Sequence, residues 1–275
     1  MNRSSKIIAA LSAAALSFGL ASCAGNTETD AKTITVGTSP GPYSVLFKDG
    51  IEPILEKDGY TVKYTDFSDL MQANTALAEG SVDLNVDQHS AYTGVFNKEK
   101  GSDLVNFTEL PTVPAGLYSQ RHGSLDDVAA GQTVAIPIDA SNLSRALNLL
   151  KDAGWITIKA DTDPALLSVN DVDENPHELE FKPMDSAAIP RALPDVDWGV
   201  LPGSMSYASK VDPNLQLFQE NLRPELILNA ATTSDKVNDE WVEEVKKAYR
   251  DPEFLHFVED NNVNNYWFIP DSLKG

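Results

Sequence analysis

The stretch TITVGTSPGPYSVLF, residues 33–47, reads as a strand, a loop and the start of a helix. Its β-branched residues favour an extended strand. Gly37 and Gly41 allow a close backbone approach in the loop, and Pro42 stands near the helix start, where proline is tolerated. The stretch therefore predicts the first strand–loop–helix unit of an α/β fold.

The same alternation of strand and helix recurs along the chain. We predict strands at 33–37, 60–67, 82–86, 133–137, 179–182, 198–201 and 226–231, and an extended connector at 113–119. We predict helices at 43–57, 69–79, 89–98, 124–130, 142–153, 187–193 and 235–250. The βαβαβ order is typical of a mostly parallel, doubly wound sheet. Two such units in one chain favour a working site in a cleft between two lobes.

The N-terminus predicts an export signal. Arg3 and Lys6 precede an apolar run that is too short to span the roughly 30 Å of hydrocarbon in a bilayer. The chain's one cysteine, Cys23, follows a Leu-Ala-Ser triplet and resembles a bacterial lipobox; an ordinary cleaved signal is the alternative. We expect residues 1–22 to be a lipoprotein signal peptide, Cys23 to carry acyl chains such as palmitate, and residues 23–32 to be a flexible tether on the extracytoplasmic face of a bacterial cell membrane.

Acidic residues dominate the charge balance. The chain has 21 basic and 41 acidic residues and a formal net charge of −20. Such a chain repels phosphate backbones and anionic lipid surfaces, so the sequence argues against nucleic-acid binding and leaves membrane attachment to the lipid anchor alone. Its length suits one large or two medium domains, and we expect a monomer.

The segment GTSPG, residues 37–41, matches G-x-S-x-G, the nucleophile elbow of serine hydrolases. An elbow serine needs the backbone N–H of the next residue for its oxyanion hole, but Ser39 is followed by Pro40, which has none. None of the four histidines stands in a recognisable triad context. We therefore expect no catalytic residue and no enzyme, with an exported hydrolase using Ser39 as a remote alternative.

The sequence also argues against a metal or a cofactor. The histidines lie in separate segments without the spacing of a metal motif. The acidic run that begins at Asp171 starts like a calcium loop, but Pro176 stands where the loop needs glycine and Lys182 where it needs glutamate. We expect a solvated turn there.

The segment DASNLSR, residues 139–145, predicts the start of a helix that Ser141 or Asn142 caps. Arg145 would then lie in the first turn, where a cation opposes the helix dipole by roughly 0.3–1 kcal/mol. An anion held between the free N–H groups and the guanidinium would make both features favourable. Arg145 is thus a candidate for binding a ligand carboxylate, and a surface ion pair with an acid is the alternative.

A second polar segment is DLNVDQHSAY, residues 83–92. Its polar groups crowd the carboxyl end of a strand, where ligands of open α/β sheets bind. His89 and Tyr92 are three residues apart and can share one face of the following helix. They are candidate pocket residues, with a helix cap made by a satisfied histidine as the alternative.

Several ordered blocks carry a family resemblance. They are the lipobox at Cys23 and the segments VGTSPGP, FSDLMQANTALAEGSVDLNVDQHSAY, VPAGLYS, IPIDASNLSRALNLLKDAGWI, DVDENPHELEF, IPRALPDVDWGVL and LILNAATT. Together they resemble the methionine-binding lipoproteins, the NlpA-type substrate-binding proteins of methionine-uptake ABC transporters. The resemblance covers nearly the whole chain after the signal, and the N-L-x-R-x-L and Q-H-x-x-Y elements are its most specific parts.

The resemblance implies a two-lobed, type II periplasmic-binding-protein fold. Such a fold closes on an amino acid, usually methionine, and delivers it to an ABC permease and its ATPase. We expect residues 33–112 with 225–275 to form lobe 1 and residues 113–224 to form lobe 2. A family member that acts as a surface adhesin or sensor without transport is a further alternative.

The resemblance also implies roles for single residues. By position, Arg145 would hold the ligand carboxylate with support from Asn142, and Asn229 would hydrogen-bond the polar end of the ligand. His89 and Tyr92 would wall the side-chain pocket. The remaining candidates are Asn74, at a family-typical position near the cleft, and Ser39, as a hydrogen-bonding contact.

Three positions depart from the family pattern. Asp87 stands where the family usually has an aromatic residue that packs on the thioether of the ligand, Leu70 replaces a tyrosine, and Ser204 replaces an asparagine. Losing an aromatic–sulfur contact gives up about 0.3–1.5 kcal/mol. A carboxylate facing the pocket opposes burial of an apolar group unless it finds a partner. These departures count against methionine, which the family resemblance nevertheless makes the first choice. A more polar or cationic amino acid that pairs with Asp87, or a small peptide, is the alternative.

Overall fold

The computed structural model describes residues 32–262 and 266–274. The predicted signal peptide, Cys23 and most of the predicted tether lie outside the described residues. None of the helices in the described part of the chain combines the length and the hydropathy that crossing a bilayer requires.

The described residues form ten strands and nine α-helices. The strands are β1 Lys32–Thr38, β2 Tyr60–Asp66, β3 Leu84–His89, β4 Leu104–Glu109, β5 Gly116–Tyr118, β6 Thr133–Pro137, β7 Glu180–Met184, β8 Trp198–Leu201, β9 Gln216–Gln219 and β10 Leu228–Thr233. The helices are α1 Tyr43–Leu46, α2 Glu52–Lys57, α3 Leu70–Ala78, α4 Ser90–Lys100, α5 Ala140–Asp152, α6 Ile189–Ala192, α7 Gly203–Ala208, α8 Glu240–Tyr249 and α9 Pro252–Asp260. A π-helical turn, Phe47–Ile51, joins α1 to α2.

The strands make two five-stranded sheets, as a two-lobed α/β fold requires. The first has the order β2-β1-β3-β10-β4 and the second the order β7-β6-β8-β5-β9. In the first sheet β1 pairs in parallel with β2 and β3, whereas β10 runs antiparallel to β3 and β4. In the second, β6 is parallel to β7 and β8, and β5 is antiparallel to β8 and β9.

The expectation of mostly parallel sheets is therefore confirmed. In each sheet four strands run in the same direction, and one strand, β10 in the first sheet and β5 in the second, is inserted antiparallel to its two neighbours. The chain leaves the first sheet after β4, enters the second at β5, and returns after β9 to insert β10 between β3 and β4.

Each sheet has its own hydrophobic core. The first core includes Ile34, Val36, Phe47, Leu84 and Val86 together with Phe254, Val258 and Leu273 from the end of the chain. The second gathers around Trp198, Leu147, Leu150, Ile136 and Trp155. The final segment of the chain packs on the first core.

Strand and helix patterns predicted most elements, with particular errors. The predicted strands at 133–137 and 198–201 are confirmed residue for residue. The connector predicted at 113–119 contains β5, which is too short to leave a pattern of its own. Strands β4 and β9 and helices α7 and α9 had no prediction. Val45, in helix α1, is 44% exposed, whereas the neighbouring Leu46 and Phe47 are buried.

Two glycines end helices of the described chain. Gly80 and Gly154 directly follow the C-caps of α3 and α5, and have φ angles of +73° and +79°. Only glycine adopts this left-handed conformation without steric strain, so each ends its helix sharply.

Candidate functional site

A cavity of about 430 Å³ is lined by segments that belong to both sheets. These segments lie at or follow the carboxyl ends of six parallel strands, β1, β2 and β3 on one side and β6, β7 and β8 on the other. The first turns of α3 and α5 complete the wall. The carboxyl ends of parallel strands are where α/β sheets bind their ligands, and the volume is in the range of small-molecule pockets.

Arg145 lies in the cavity wall, but the helix that carries it begins earlier than expected. Helix α5 starts at Ala140, and Asp139 caps it by accepting the Asn142 N–H at 3.0 Å. Asp139, Ser141 and Asn142 are all good capping residues, and the extended backbone of Asp139 makes it the cap that forms. The prediction that Ser141 or Asn142 caps the helix is therefore wrong, and Arg145 lies in its second turn, beyond the free N–H groups.

Arg145 forms a buried ion pair with Glu220. Arg145 Nε donates to Glu220 Oε1 and Oε2 at 3.0 and 2.8 Å, and Nη2 donates to Oε1. Both side chains are only 4% exposed. The alternative interpretation, in which Arg145 pairs with an acid, is therefore right about the ion pair but wrong in placing the pair on the surface. Burial by itself lowers the pKa of Arg145, but the carboxylate of Glu220 outweighs it and the pKa is raised.

The ion pair leaves one edge of the guanidinium unused. None of the hydrogen bonds among the described residues involves Arg145 Nη1, and Arg145 lines the cavity. Glu220 also accepts the Ala115 N–H at 2.6 Å, so the acid is fixed between α5 and the start of β5. An arginine held in this way presents its remaining N–H groups to the cavity as a preorganised donor.

Asp87 is buried in the cavity wall at the carboxyl end of β3. Its Oδ2 accepts hydrogen bonds from Ser39 N at 2.7 Å, Ser39 Oγ at 3.1 Å and Ser44 Oγ at 2.8 Å. Burial raises the pKa of Asp87 to about 6, although these hydrogen bonds act in the opposite direction. Asp87 therefore faces the cavity as the sequence suggested, and its protein partners are two serines.

His89 both caps helix α4 and lines the cavity. Its Nδ1 accepts the Tyr92 N–H at 3.1 Å, so Nε2 carries the ring hydrogen and points at Asn142 Oδ1, 3.5 Å away. Burial, with a smaller contribution from Arg145, lowers the pKa of His89 to about 3. The ring is neutral and joins β3 of the first sheet to α5 of the second. His89 therefore combines the two roles that the sequence offered as alternatives, since it lines the cavity and also caps a helix.

Asn142 and Tyr92 also line the cavity. The amide of Asn142 donates to Asp139 Oδ1 at 3.0 Å, which ties the first turn of α5 to its cap. The Tyr92 ring meets the His89 ring edge-on, with centroids 6.3 Å apart. Burial raises the pKa of Tyr92, so its hydroxyl is a neutral hydrogen-bonding group.

Two predicted site residues do not line the cavity. Asn74 is fully buried behind the wall, where its Nδ2 donates to Gln88 Oε1 at 2.6 Å. Asn229 uses its Nδ2 to donate to the Ile227 carbonyl at 2.9 Å, while the preceding residue, Leu228, lines the cavity. Successive strand residues face opposite sides of a sheet, so Leu228 takes the position at the wall.

The structure also brings residues to the site that sequence reasoning missed. No local sequence pattern pointed to Glu220 or Ser44, because their partners, Arg145 and Asp87, are distant in the sequence. The Tyr43 hydroxyl accepts the Val113 N–H at 3.2 Å at the passage between the sheets, and burial raises the pKa of this phenol. The apolar part of the wall includes Leu70, Met71, Ile138 and Met205.

Ser39 is not arranged as a nucleophile. Its hydroxyl donates to Asp87 at 3.1 Å, and no histidine of the described residues forms a hydrogen bond with it. Within the same residues, no group of three or more His, Cys, Asp or Glu side chains has the arrangement that a metal ion needs.

Comparisons with known proteins show which family the chain belongs to. A family model described as NlpA lipoprotein matches residues 34–270. The D-methionine-binding lipoprotein MetQ of Yersinia pestis is 32% identical over 251 residues, which cover 90% of this chain and 92% of that protein.

Solved structures resemble the fold over most of its length. A nutrient-binding protein from Burkholderia cenocepacia, bound to methionine, has a TM-score of 0.79 and 33% identity and covers 84% of this chain and 98% of that one. The substrate-binding protein of a methionine transporter from Streptococcus pneumoniae has a TM-score of 0.77 and 29% identity, covering 86% and 94%.

Proposed function

The chain belongs to the NlpA lipoprotein family, and we propose that it is the lipid-anchored substrate-binding protein of an ABC importer. It captures a free amino acid, methionine being the first choice, and delivers it to the permease and its ATPase. Relatives of similar length are described as methionine-binding lipoproteins and as a substrate-binding protein of a methionine transporter, which supports this role. It acts as a binding protein and not as an enzyme.

The observation that carries the proposal is the donor edge of Arg145 in a cavity between two sheets. Arg145 lines a cavity of about 430 Å³, and Glu220 holds its guanidinium through Nε and Nη2. A ligand carboxylate placed there gains a charge-assisted hydrogen bond, which is worth about 1.5–3 kcal/mol. The apolar wall, which includes Leu70, Met71 and Ile138, then contacts the side chain of the ligand.

The two sheets correspond to two lobes in this proposal. Residues 33–112 with 225–275 form lobe 1, and residues 113–224 form lobe 2. His89 of lobe 1 contacts Asn142 of lobe 2 across the cavity. In this proposal the two lobes close about the cavity, and closure buries the ligand. Acyl chains on Cys23 hold the protein at the extracytoplasmic face of the membrane, which suits a family of lipoproteins.

A thermal-shift screen of the purified protein against the twenty amino acids tests the proposal. A ligand that binds only the folded state adds about 2.7 kcal/mol to the free energy of unfolding at 100 times its Kd. We expect one amino acid, or a small set that includes methionine, to raise the melting temperature by several degrees. No shift with any amino acid at millimolar concentration would contradict the proposed function.

A more polar or cationic amino acid, or a small peptide, is the second candidate. One observation favours it: Asp87 is a buried carboxylate in the cavity wall, and its protein partners are neutral serines. An apolar group buried against this carboxylate would not compensate its charge.

A further inference from the structure

The two oxygens of the Asp87 carboxylate are used unequally. Oδ2 accepts from Ser39 N at 2.7 Å, from Ser39 Oγ at 3.1 Å and from Ser44 Oγ at 2.8 Å. Oδ1 accepts from Ser44 Oγ at 3.0 Å, and the backbone N–H of Ser44 also acts on this carboxylate. A serine hydroxyl has one hydrogen, so Ser44 can serve only one of the two oxygens fully at a time. All of these donors are neutral, so among the described residues they leave the charge of the carboxylate without a counter-ion.

The charge of the cavity wall is also unbalanced. Arg145 is the one Lys or Arg among the described lining residues, and Glu220 already neutralises it. No Lys, Arg or His of the described residues forms an ion pair with Asp87, and His89 is neutral. Arg145, Glu220 and Asp87 together carry one negative charge when Asp87 is ionised.

A buried ion without a counter-ion is unfavourable, and a cation that arrives with the ligand removes this penalty. A hydroxyl donor would satisfy Oδ1 but leave the charge. A primary ammonium group does both, since it has three N–H donors on a compact positive charge. Asp69, Asp139 and Asp185 also line the cavity and add a field of the same sign.

We propose that Asp87 determines the specificity of this cavity by accepting, at Oδ1, a hydrogen bond from a primary ammonium group of the ligand. The inference rests on the proposed function and adds the chemistry that the ligand must carry. The ammonium is either the α-amino group, as in methionine, or the side-chain amine of a diamino acid such as lysine. In both cases the α-carboxylate binds Arg145 Nη1, so that the ligand joins a donor in the second sheet's lobe to an acceptor in the first.

Calorimetric titration of the wild-type protein with four compounds identifies the source of the ammonium. The compounds are L-methionine, N-acetyl-L-methionine, L-lysine and L-norleucine, which differ in the α-amino group or in the side-chain amine. If Asp87 receives the α-amino group, acetylation weakens methionine binding at least 10-fold. If it receives a side-chain amine, lysine binds at least 10-fold more tightly than norleucine. Equal binding within each pair overturns the proposal without the use of any variant.

Asp87→Asn then tests the residue itself. A hydrogen bond to a charged group is worth about 1.5–3 kcal/mol, so we expect the tightest ligand of the series to bind roughly 10- to 150-fold more weakly. The matched control is Asp58→Asn, which removes the same charge at an exposed residue outside the cavity, and should change the affinity less than 2-fold.

The outcomes separate this inference from the proposed function. If wild-type protein binds and Asp87→Asn binds as tightly, the inference fails and the proposed function stands. If the wild-type protein binds none of the four compounds and none of the twenty amino acids, the proposed function fails and the inference falls with it.

Discussion

Arg145 and Glu220 are 75 residues apart in the sequence and form one buried ion pair in the wall of the cavity. The pair fixes the guanidinium by Nε and Nη2 and leaves Nη1 without a hydrogen bond to any described residue. The same carboxylate accepts the Ala115 N–H, so a single acid connects Arg145 to the segment where the chain passes between the sheets.

Removing Arg145 alone should destabilise the fold. Arg145→Ala leaves Glu220 buried without its cation, and breaking a buried pair in this way costs about 3–5 kcal/mol. Arg145→Met combined with Glu220→Gln should recover most of that loss, because no charge is left buried and glutamine keeps an oxygen for the Ala115 N–H. Urea denaturation at pH 7.5 measures both variants. A loss below 1 kcal/mol for Arg145→Ala would show that the pair is not buried as described.

Removing the Asp87 charge should stabilise the ligand-free protein at neutral pH. Burial raises the pKa of Asp87 to about 6, above the value of roughly 3.9 in an unfolded chain. The folded state thus binds the Asp87 proton more tightly than the unfolded state does. As the pH rises from 4 to above 6, ionisation of Asp87 therefore lowers the free energy of unfolding. Tyr43 and Tyr249 are the titratable groups whose own pKa values respond to this carboxylate, and both are neutral over that range.

Asp87→Asn should therefore be more stable than wild type by about 1–3 kcal/mol at pH 7.5, with the difference shrinking toward zero near pH 4. Chemical denaturation of both proteins at the two pH values, without ligand, provides the measurement. If Asp87→Asn were less stable than wild type at pH 7.5, the ionised Asp87 would stabilise the fold, and this prediction would be contradicted.

His89 should contribute to affinity through its contact across the cavity. His89→Asn keeps a residue that caps helices well, but its shorter side chain cannot reach Asn142. We expect little change in the unfolding free energy and roughly a 2- to 12-fold loss of affinity, the equivalent of one hydrogen bond of about 0.5–1.5 kcal/mol.

A double-mutant cycle with Asn142→Ala isolates this contact from the other bonds of each residue. If the His89–Asn142 contact stabilises the closed form, the two affinity losses are less than additive in the double variant. Strictly additive losses would assign the contact no role in closure.

Ser39 should behave as a hydrogen-bond donor. We expect a fluorophosphonate serine probe to leave the wild-type protein unlabelled, because the Ser39 hydroxyl faces Asp87 and Pro40 supplies no N–H to an oxyanion. Intact-mass spectrometry reads the result directly. Stoichiometric labelling that disappears in Ser39→Ala would instead support the hydrolase alternative.

Local patterns in the sequence predicted a large part of the fold. The strand–loop–helix unit at residues 33–47 and the strand at 133–137 are present because their side chains and turn residues specify them locally. Strand β5 has three residues and is defined by its neighbours β8 and β9, which no local pattern can show.

The candidate site likewise has features that local sequence patterns predicted and features that depend on contacts between distant residues. Arg145, Asp87 and His89 were predicted because polar residues at strand ends and helix starts point to a ligand cleft. The pairing of Arg145 with Glu220 depends on the passage of the chain between the sheets, so the sequence carried no sign of it. The helix cap was missed because three adjacent residues have similar capping preferences, and only the backbone conformation decides among them.

Calorimetric titration of the cognate amino acid into wild-type protein and into the stable Arg145→Met, Glu220→Gln variant tests the central claim most directly. The account predicts one binding site per chain in the wild type and a loss of affinity of at least 10-fold in the variant, because the carboxylate of the ligand has lost its donor. Equal affinity in the two proteins, with the variant folded, would contradict the account.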